Sequence, residues 1–283
     1  MNNSLHPSLH CPICALPAPF WKRSSAADIY RCQVCNHPFT DTQSIRVKET
    51  YDVNYYLKTH ENWFKNPNIP LFKKLLGLIT ANDCKSILDI GCGNGDFLYY
   101  LHDKNKDLKL TGIDLSAKNL QKDGISLIGG DFNHHQFDQH FDAVISLAFI
   151  EHIDKVDSFP ARISSLLNPN GIACIMTINE TGLLYQIANF LKLCGVSSIF
   201  NRLYDPHHLN HFSQDSLEKL FSNTKDLKII DVIHHNAPIQ SIDFPANNVV
   251  IKSIYTLGVS MIFQLGVLFK KGYLQTLVVK KIA

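Results

Sequence analysis

Residues 87–95 read Ile-Leu-Asp-Ile-Gly-Cys-Gly-Asn-Gly, an apolar run that breaks into glycines at alternate positions. The pattern predicts a buried strand that turns into a helix, and glycines at such a turn let a ligand lie against bare backbone. A second apolar run, Leu-Thr-Gly-Ile-Asp, ends in Asp114. An acid at the tip of the next strand can hydrogen-bond the hydroxyls of a ribose. The two runs together predict an adenosine-containing cofactor at the carboxyl edge of a parallel sheet.

The spacing of the glycines selects among such cofactors. A dinucleotide site uses G-x-G-x-x-G, in which a helix N-terminus faces a pyrophosphate. Here the pattern is G-x-G-x-G, and Asp96 follows the third glycine directly. A carboxylate at this position would repel a phosphate but would not repel a sulfonium or an amino group. The turn resembles motif I of the class I S-adenosylmethionine-dependent methyltransferases, and the resemblance extends over residues 85–283.

This resemblance implies a role for each residue at the predicted edge. Asp89 would accept a hydrogen bond from the methionine amino end of S-adenosylmethionine, Asp114 would hold the ribose, and Leu115 would pack on the adenine. Asp131 and Phe132 would lie near the adenine, and a turn or helix-cap role is the alternative for Asp131. The predicted cofactor-binding residues are Asp89, Gly91, Cys92, Gly93, Gly95, Asp114, Leu115, Asp131, Phe132 and Leu147.

A Glu-His pair follows the fourth expected strand, within the segment Ser-Leu-Ala-Phe-Ile-Glu-His-Ile at residues 146–153. This segment resembles the motif found at the same place in ubiquinone-type O-methyltransferases. His152 is a candidate general base, because a neutral imidazole can take a phenol or alcohol proton near neutral pH. Glu151 could position that imidazole or ligate a metal. The alternative is that both residues only cap the next helix and fix its loop.

Two C-x-x-C pairs lie near the N-terminus, and their cysteines are Cys11, Cys14, Cys32 and Cys35. Their spacing is typical of a four-thiolate zinc site, and a segment this short has too little core to fold without a crosslink. Two disulfides are the alternative, but the N-terminus has no signal-peptide pattern, which favours reduced cysteines in the cytoplasm. We predict a structural zinc ribbon that covers or shapes the active site, with RNA recognition as the alternative.

Alternating strand and helix patterns predict an α/β fold with a doubly wound, mostly parallel sheet. Strands are expected near residues 86–90, 109–113, 125–128, 142–147, 172–178, 227–234 and 273–280. Helices are expected near 95–104, 116–122, 154–167 and 213–222, the last with Ser213 as its N-cap. The family resemblance implies a seven-stranded Rossmann-like sheet in the order 3-2-1-4-5-7-6, with the last strand antiparallel.

The chain divides into a zinc ribbon at 1–45, a linker with a packing helix at 46–80 and a methyltransferase domain at 81–283. The helix is predicted from apolar residues at helical spacing, namely Leu71, Phe72, Leu75, Leu76 and Ile79. Before it, a cluster of Tyr51, Tyr55 and Tyr56 resembles a segment that lies over the cofactor cleft in zinc-ribbon methyltransferases, with plain packing as the alternative.

Two stretches, 179–212 and 245–270, lie where this fold inserts its substrate cover. The second is long and apolar enough to suggest a membrane span, but polar residues recur along it at Ser253, Thr256, Ser260 and Gln264. A core or lid helix is therefore the first interpretation, and peripheral membrane or dimer contact is the second. In the first stretch, one of His207, His208 and His211 should face the cleft; we take His211 as a catalytic candidate.

The net charge of +2 and the lack of a basic run do not favour nucleic acid as a partner. The apolar covers favour a small or lipid-like acceptor, such as a quinone precursor. We therefore predict methyl transfer from S-adenosylmethionine, preferentially to oxygen. The enzyme is expected in the cytoplasm, with membrane association as a second interpretation. RNA base methylation with the ribbon binding RNA, and a non-catalytic scaffold that binds the cofactor, are the alternatives. The oligomeric state stays open.

Overall fold

The computed structural model of the chain describes residues 7–46, 61–122, 124–242 and 249–282. The cluster of Tyr51, Tyr55 and Tyr56 lies outside these residues, so its predicted place over the cleft stays a prediction.

The N-terminal region forms two small antiparallel sheets. Strands β1 and β2 pair as a hairpin, and β3, β4 and β5 form a three-stranded sheet in that order. Their bounds are β1 (Leu9–His10), β2 (Pro17–Ala18), β3 (Phe20–Arg23), β4 (Asp28–Arg31) and β5 (Pro38–Thr40). The two C-x-x-C turns follow β1 and β4, which is the arrangement of a ribbon.

An eight-stranded sheet forms the centre of the rest of the chain. Its strands are β6 (Ser86–Ile90), β7 (Lys109–Asp114), β8 (Leu120–Lys122), β9 (Ile125–Gly129), β10 (Phe141–Leu147), β11 (Leu167–Ile178), β12 (Leu227–His235) and β13 (Leu274–Lys281). The order is β12-β13-β11-β10-β6-β7-β9-β8. Without β8, this is the predicted order 3-2-1-4-5-7-6, and β13 runs antiparallel to both neighbours.

Helices cover both faces of this sheet. They are α1 (Glu61–Lys65), α2 (Ile69–Ala81), α3 (Asp96–Lys104), α4 (Phe159–Leu166), α5 (Leu183–Leu193), α6 (Ser198–Leu203), α7 (Gln214–Ser222) and α8 (Val249–Leu268). Alternate side chains of one strand serve opposite faces. Ile87 packs in one core cluster with α2 and α3, whereas Leu88 and Ile90 pack in the other with α4 and α7.

Ser213 caps α7 as predicted. Its side chain accepts a hydrogen bond from the backbone N–H of Ser216, and the Ser216 hydroxyl accepts one from the backbone N–H of Ser213. This reciprocal pair satisfies two donors that a helix start otherwise leaves unpaired.

The predicted helix at 116–122 is wrong. The chain instead makes a turn and then pairs β8 antiparallel with β9 at the edge of the sheet. The side chains of Leu120, Gln121 and Lys122 are all exposed. The segment has no apolar face to bury against the sheet, and tertiary packing is what stabilises most short helices.

The interpretation of residues 245–270 as a core helix is also wrong. Helix α8 forms, but only Phe263 and Gly266 of its residues are buried. Its length and composition would suffice to cross a membrane, and it is the one helix of that kind among the residues that the structure describes.

Candidate functional site

A cleft opens at the carboxyl ends of β6 and β10, the neighbouring strands at which the direction of strand succession reverses. Ligands of open α/β sheets bind at this switch point, because the loops after the two strands diverge there. Residues of the β6–α3 turn line one part of the cleft, and Glu151, His152 and His208 line another. Apolar walls lie between, formed by Trp63, Leu71, Phe72, Met176, Ile178, Tyr273 and Leu274 among others.

The glycine turn has the backbone that its sequence predicts. Gly91, Gly93 and Gly95 have φ angles of +72°, +52° and +83°, a region that glycine adopts without steric cost. A Cβ atom on Gly91 would lie 2.7 Å from the Cδ2 atom of Phe149. A side chain at this position would therefore displace Phe149 or close the cleft, and the turn offers bare backbone to a ligand.

Asp89, the second-last residue of β6, lines the cleft and is almost fully buried. Its Oδ1 atom has no hydrogen-bond partner among the described residues. Burial raises the pKa of this carboxyl well above its ordinary value, and the nearby Asp114 and Asp96 raise it further. Burying a carboxylate oxygen without a partner costs free energy, and so does its repulsion by two neighbouring acids. A cationic ligand at this carboxylate would offset both of these costs.

Asp114 ties the second strand to the glycine turn. Its Oδ2 atom accepts a hydrogen bond from Gly93 N at 3.0 Å, and its Oδ1 atom accepts from Ser116 N and Oγ at 2.7 and 2.6 Å. Leu115 beside it is 73% exposed. The residues around the turn thus offer two acids, an apolar side chain and bare backbone. Asp89 fits the amino group of S-adenosylmethionine, Asp114 fits the ribose and Leu115 fits the adenine.

The remaining predicted cofactor residues have different surroundings. Cys92 and Leu147 line the cleft. Asp131 accepts hydrogen bonds from His134 Nδ1 and Asn133 N at 2.8 and 2.9 Å, so its carboxylate is paired within the turn that follows β9, and its place near the adenine stays a prediction. Phe132 is buried and packs edge-on against Phe149, with 6.0 Å between ring centroids, so it supports the ring that covers Gly91.

Glu151 is buried in the lining of the cleft. Its Oε2 atom accepts a hydrogen bond from Thr177 Oγ1 at 2.8 Å, and burial raises the pKa of its carboxyl to about 7. The side chain can therefore hold or release a proton near neutral pH. A group of this kind in a cleft is typical of functional sites.

His152 is oriented by a backbone oxygen. Its Nδ1 atom lies 2.8 Å from the carbonyl oxygen of His207. A carbonyl only accepts, so Nδ1 carries the proton and the neutral ring has its lone pair at Nε2. The His208 ring packs edge-on against the His152 ring, with 5.0 Å between the ring centroids. Donor atoms of Glu151, His152 and His208 lie within 4.8 Å of one another, close enough to share a proton or a cation.

Of the three histidines in the 205–211 segment, the structure brings His208 to the cleft and not His211. His211 is fully buried, and its Nε2 atom lies 3.1 Å from the Thr40 hydroxyl. Its ring packs 4.7 Å from that of Tyr204, and burial lowers the pKa of His211 well below its ordinary value. Sequence reasoning could not choose among these histidines because the segment has no regular period.

The four cysteines predicted to bind zinc meet at one point. Their sulfur atoms all lie within 4.8 Å of one another, with closest Sγ–Sγ distances of 3.5, 3.5 and 3.7 Å, and none forms a disulfide. These distances approach the edge of about 3.8 Å expected for a tetrahedron with Zn–S bonds of ~2.3 Å. Four thiolates leave no open position, so a zinc ion held by Cys11, Cys14, Cys32 and Cys35 would be structural.

The ribbon packs directly on the segment that carries His208. Thr40 N donates to Leu209 O at 2.9 Å, His211 N donates to Pro38 O at 3.0 Å, and Phe39 pairs with Asn210 as an antiparallel bridge. On its other side the same segment donates from Leu209 N and Asn210 N to the carbonyl oxygen of Glu151. The segment is therefore held between the ribbon and the Glu-His turn, an arrangement that sequence reasoning missed.

A partly buried ion pair adds a second connection between the ribbon and segment 179–212. Arg31 of β4 pairs with Glu180, which also accepts a hydrogen bond of 2.7 Å from Tyr204 Oη. The Arg31 guanidinium stacks on Trp21 at 3.8 Å from the ring centroid.

Comparisons with known proteins agree with this geometry. Residues 64–243 match the family model described as methyltransferase domain. The chain is 26% identical over 168 residues to the mitochondrial ubiquinone biosynthesis O-methyltransferase of Dictyostelium discoideum, covering 52% of this chain and 51% of that protein. It is 28% identical over 211 residues to the ubiquinone biosynthesis O-methyltransferase of Brucella ovis, covering 69% and 74%.

Among solved structures, a SAM dependent methyltransferase from Archaeoglobus fulgidus aligns with a TM-score of 0.48 and 19% identity, over 80% of this chain and 100% of that one. The chain spans about half the length of the Dictyostelium relative.

Proposed function

Since this chain belongs to the methyltransferase domain family, we propose that it transfers a methyl group from S-adenosylmethionine to an oxygen of a small, lipophilic acceptor. The observation that carries the proposal is the composition of the cleft. It has an acidic cluster at the glycine turn, a Glu-His-His group elsewhere in its lining, and apolar walls between them.

The acidic part of the cleft is the donor site. Asp89 would receive the amino group of the donor at its unpaired Oδ1 atom, where a positive charge stabilises the buried carboxylate. Asp114 retains acceptor capacity beyond its bonds to Gly93 and Ser116, and the ribose hydroxyls would use it. Leu115 would cover the adenine. When bound, S-adenosylmethionine supplies an electrophilic methyl group on a sulfonium.

The walls favour a lipophilic acceptor over a nucleic acid. No Lys or Arg is among the described residues that line the cleft. Phosphate groups are bound mainly by such cations, so an RNA strand would find little to hold it there. Met176, Ile178 and Tyr273 instead offer an apolar surface to a ring or an alkyl chain. The named activity of the Dictyostelium and Brucella relatives, ubiquinone biosynthesis O-methylation, agrees with an acceptor of this class.

His152 would take the proton of the acceptor hydroxyl at Nε2 as the new oxygen–carbon bond forms. The His207 carbonyl holds Nδ1 and so fixes the required tautomer. Glu151, close to this ring, would stabilise the imidazolium that results. The apolar walls exclude water from the reacting atoms, and the rest of the catalysis is positioning of the two reactants.

The test uses the purified full chain with methyl-labelled S-adenosylmethionine. It is offered separately a lipid extract, a catechol-type quinone precursor and total RNA. We expect label in the lipid or catechol fraction. His152→Ala should lower the rate by about 10²-fold or more while S-adenosylhomocysteine still binds in calorimetry.

Two outcomes would reject the proposal. Label recovered mainly in RNA would identify an RNA methyltransferase. Normal S-adenosylhomocysteine binding without transfer to any fraction would indicate a cofactor-binding scaffold.

A further inference from the structure

We propose that the exposed apolar stripe of α8 binds the surface of an anionic lipid bilayer. The stripe consists of side chains three or four positions apart, which share one side of a helix. They are Val250, Ile254, Leu257, Met261, Leu265 and Leu268, and all are exposed, Leu268 by 73%. Beside α8, helix α5 adds exposed Phe190 and Leu193. An apolar surface of this length on a folded chain marks an interaction site.

Two polar residues of α8, Ser253 and Thr256, do not oppose this partner. Ser253 Oγ donates to Val249 O at 2.9 Å, and Thr256 Oγ1 donates to Lys252 O at 2.8 Å. Both hydroxyls therefore satisfy their donors within the helix. This back-bonding removes much of the cost of placing a hydroxyl near hydrocarbon.

The charges around the stripe select an anionic surface. Residues 244–283 contain no Asp or Glu, and neither do residues 181–204, which include α5. The exposed lysines next to the stripe are Lys252, Lys270 and Lys271. An apolar helix bordered by lysines, without acids, is typical of segments that lie in the interface of a membrane with anionic lipids. A contact between two copies would bring these lysines together instead of neutralising them.

The connections of α8 exclude a simple crossing of the bilayer. The 20 residues of α8 extend about 30 Å, the thickness of a hydrocarbon core. The chain before the helix, at Ile239–Ser241, contacts α8, and the chain after it enters β13 of the same sheet. Residues 243–248 span at most about 25 Å when fully extended. They could not return the chain from the far side, so the helix lies along the surface.

The stripe is attached to the wall of the cleft. Phe263 of α8 stacks on Tyr273 with 5.7 Å between ring centroids, and Tyr273 lines the cleft. Asn236 joins the two, since its Nδ2 atom donates to Phe263 O and its Oδ1 atom accepts from Tyr273 N, both at 2.9 Å. Docking of α8 would therefore bring the cleft to the lipid surface, where a lipophilic acceptor, if the proposed function holds, is dissolved.

The experiment is sedimentation of the zinc-loaded full chain with vesicles, a measurement that needs no methyl transfer. We expect binding to vesicles of phosphatidylcholine with phosphatidylglycerol, weaker binding to phosphatidylcholine alone, and partial release by salt. The triple variant Ile254→Ser, Leu257→Ser, Met261→Ser should lower the partition coefficient by about tenfold or more. The control variant Ile230→Ser, Leu120→Ser changes exposed apolar residues of the sheet and should bind as the unaltered chain does.

The charge contribution is tested separately. Replacing Lys252, Lys270 and Lys271 by Gln should weaken binding to anionic vesicles by about fivefold for each lysine. Replacing the exposed Lys85, Lys106 and Lys118 by Gln is the matched control. The proposal is overturned if the triple serine variant binds vesicles unchanged, or if the unaltered chain binds none. A dimer in sedimentation velocity that the serine variant converts to a monomer, without vesicle binding, would identify the stripe as a contact between copies.

Discussion

The hydroxyl of Thr40, in the last strand of the ribbon, donates a hydrogen bond of 2.8 Å to the carbonyl oxygen of His208. This bond joins the cysteine-rich region to a residue that lines the cleft. The neighbouring His207 carbonyl orients His152, so the ribbon lies one peptide away from the candidate base. The ribbon therefore supports the part of the cleft lined by Glu151, His152 and His208, which we propose as the acceptor side, whereas the proposed donor side rests on β6 and β7.

Thr40→Val should therefore lower methyl transfer without weakening the donor site. The substitution keeps the shape of the side chain but removes the hydroxyl that donates to His208 O and that contacts His211 Nε2. The loss of these two hydrogen bonds, each worth about 0.5–1.5 kcal/mol, corresponds to a fall of roughly five- to 150-fold in kcat. Calorimetry with S-adenosylhomocysteine should give an unchanged affinity. Thr80→Val, which removes a hydroxyl that donates to Leu76 O at an exposed position of α2, is the control. Equal effects of the two variants would show that Thr40 has no special role.

Removal of zinc should also lower methyl transfer without weakening the donor site, and by more than Thr40→Val does. Cys14→Ser, or a chelator, removes the crosslink on which the ribbon depends for folding. We expect loss of most methyl transfer together with retained S-adenosylhomocysteine binding, since Gly91 N and Gly93 N donate their hydrogen bonds to β7 and not to the ribbon. Metal analysis of the purified chain should find one zinc per chain, and Cys194→Ser, at an exposed cysteine, should leave both properties intact. Donor affinity that disappears together with zinc would contradict this division.

The central fold was predictable because its signals are local and repeated. The apolar run of β6, the three glycines and the acid that ends β7 are each enough to predict a position in the sheet. The family match confirms the methyltransferase assignment. The strand order agrees as well. Segment 116–122 could not be predicted in this way, because its few polar residues suit a turn, a helix or an edge strand equally, and only pairing with β9 decides among them.

The acceptor side was less predictable for a different reason. Which of the three histidines reaches the cleft depends on contacts with the ribbon, more than 160 residues earlier in the chain. Such contacts leave no period in the sequence. The same holds for α8, because an apolar pattern is identical for a helix inside a core and for one on the surface. Only the packing of its neighbours shows that it is exposed.

Asp89→Asn should separate ligand binding from stability. Burial and the acids around it raise the pKa of Asp89, so without ligand the native carboxyl keeps its proton to a higher pH than the unfolded one does. The free energy of unfolding then falls as pH rises from the ordinary pKa of an aspartate to the raised one, and a neutral amide removes this cost. We expect a higher Tm for the ligand-free variant at pH 7 and an affinity for S-adenosylmethionine that is lower by about tenfold or more. Asp107→Asn, at an exposed position, is the control; a variant with unchanged affinity would exclude Asp89 from the donor site.

The pKa of about 7 at Glu151 predicts a pH dependence that can be assigned to one residue. Its ordinary value is 4.5, so between the two values the native state binds more protons than the unfolded state. The free energy of unfolding must therefore fall by on the order of 3 kcal/mol as pH rises through this window. Above the window it levels off. Glu151→Gln keeps the bond with Thr177 and removes the titration. Denaturant unfolding of both chains across this window should show a slope for the unaltered protein that the variant lacks. A variant whose slope equals that of the unaltered chain would mean that Glu151 is ionised throughout, and the proton at the acceptor side would then have to belong to the histidines.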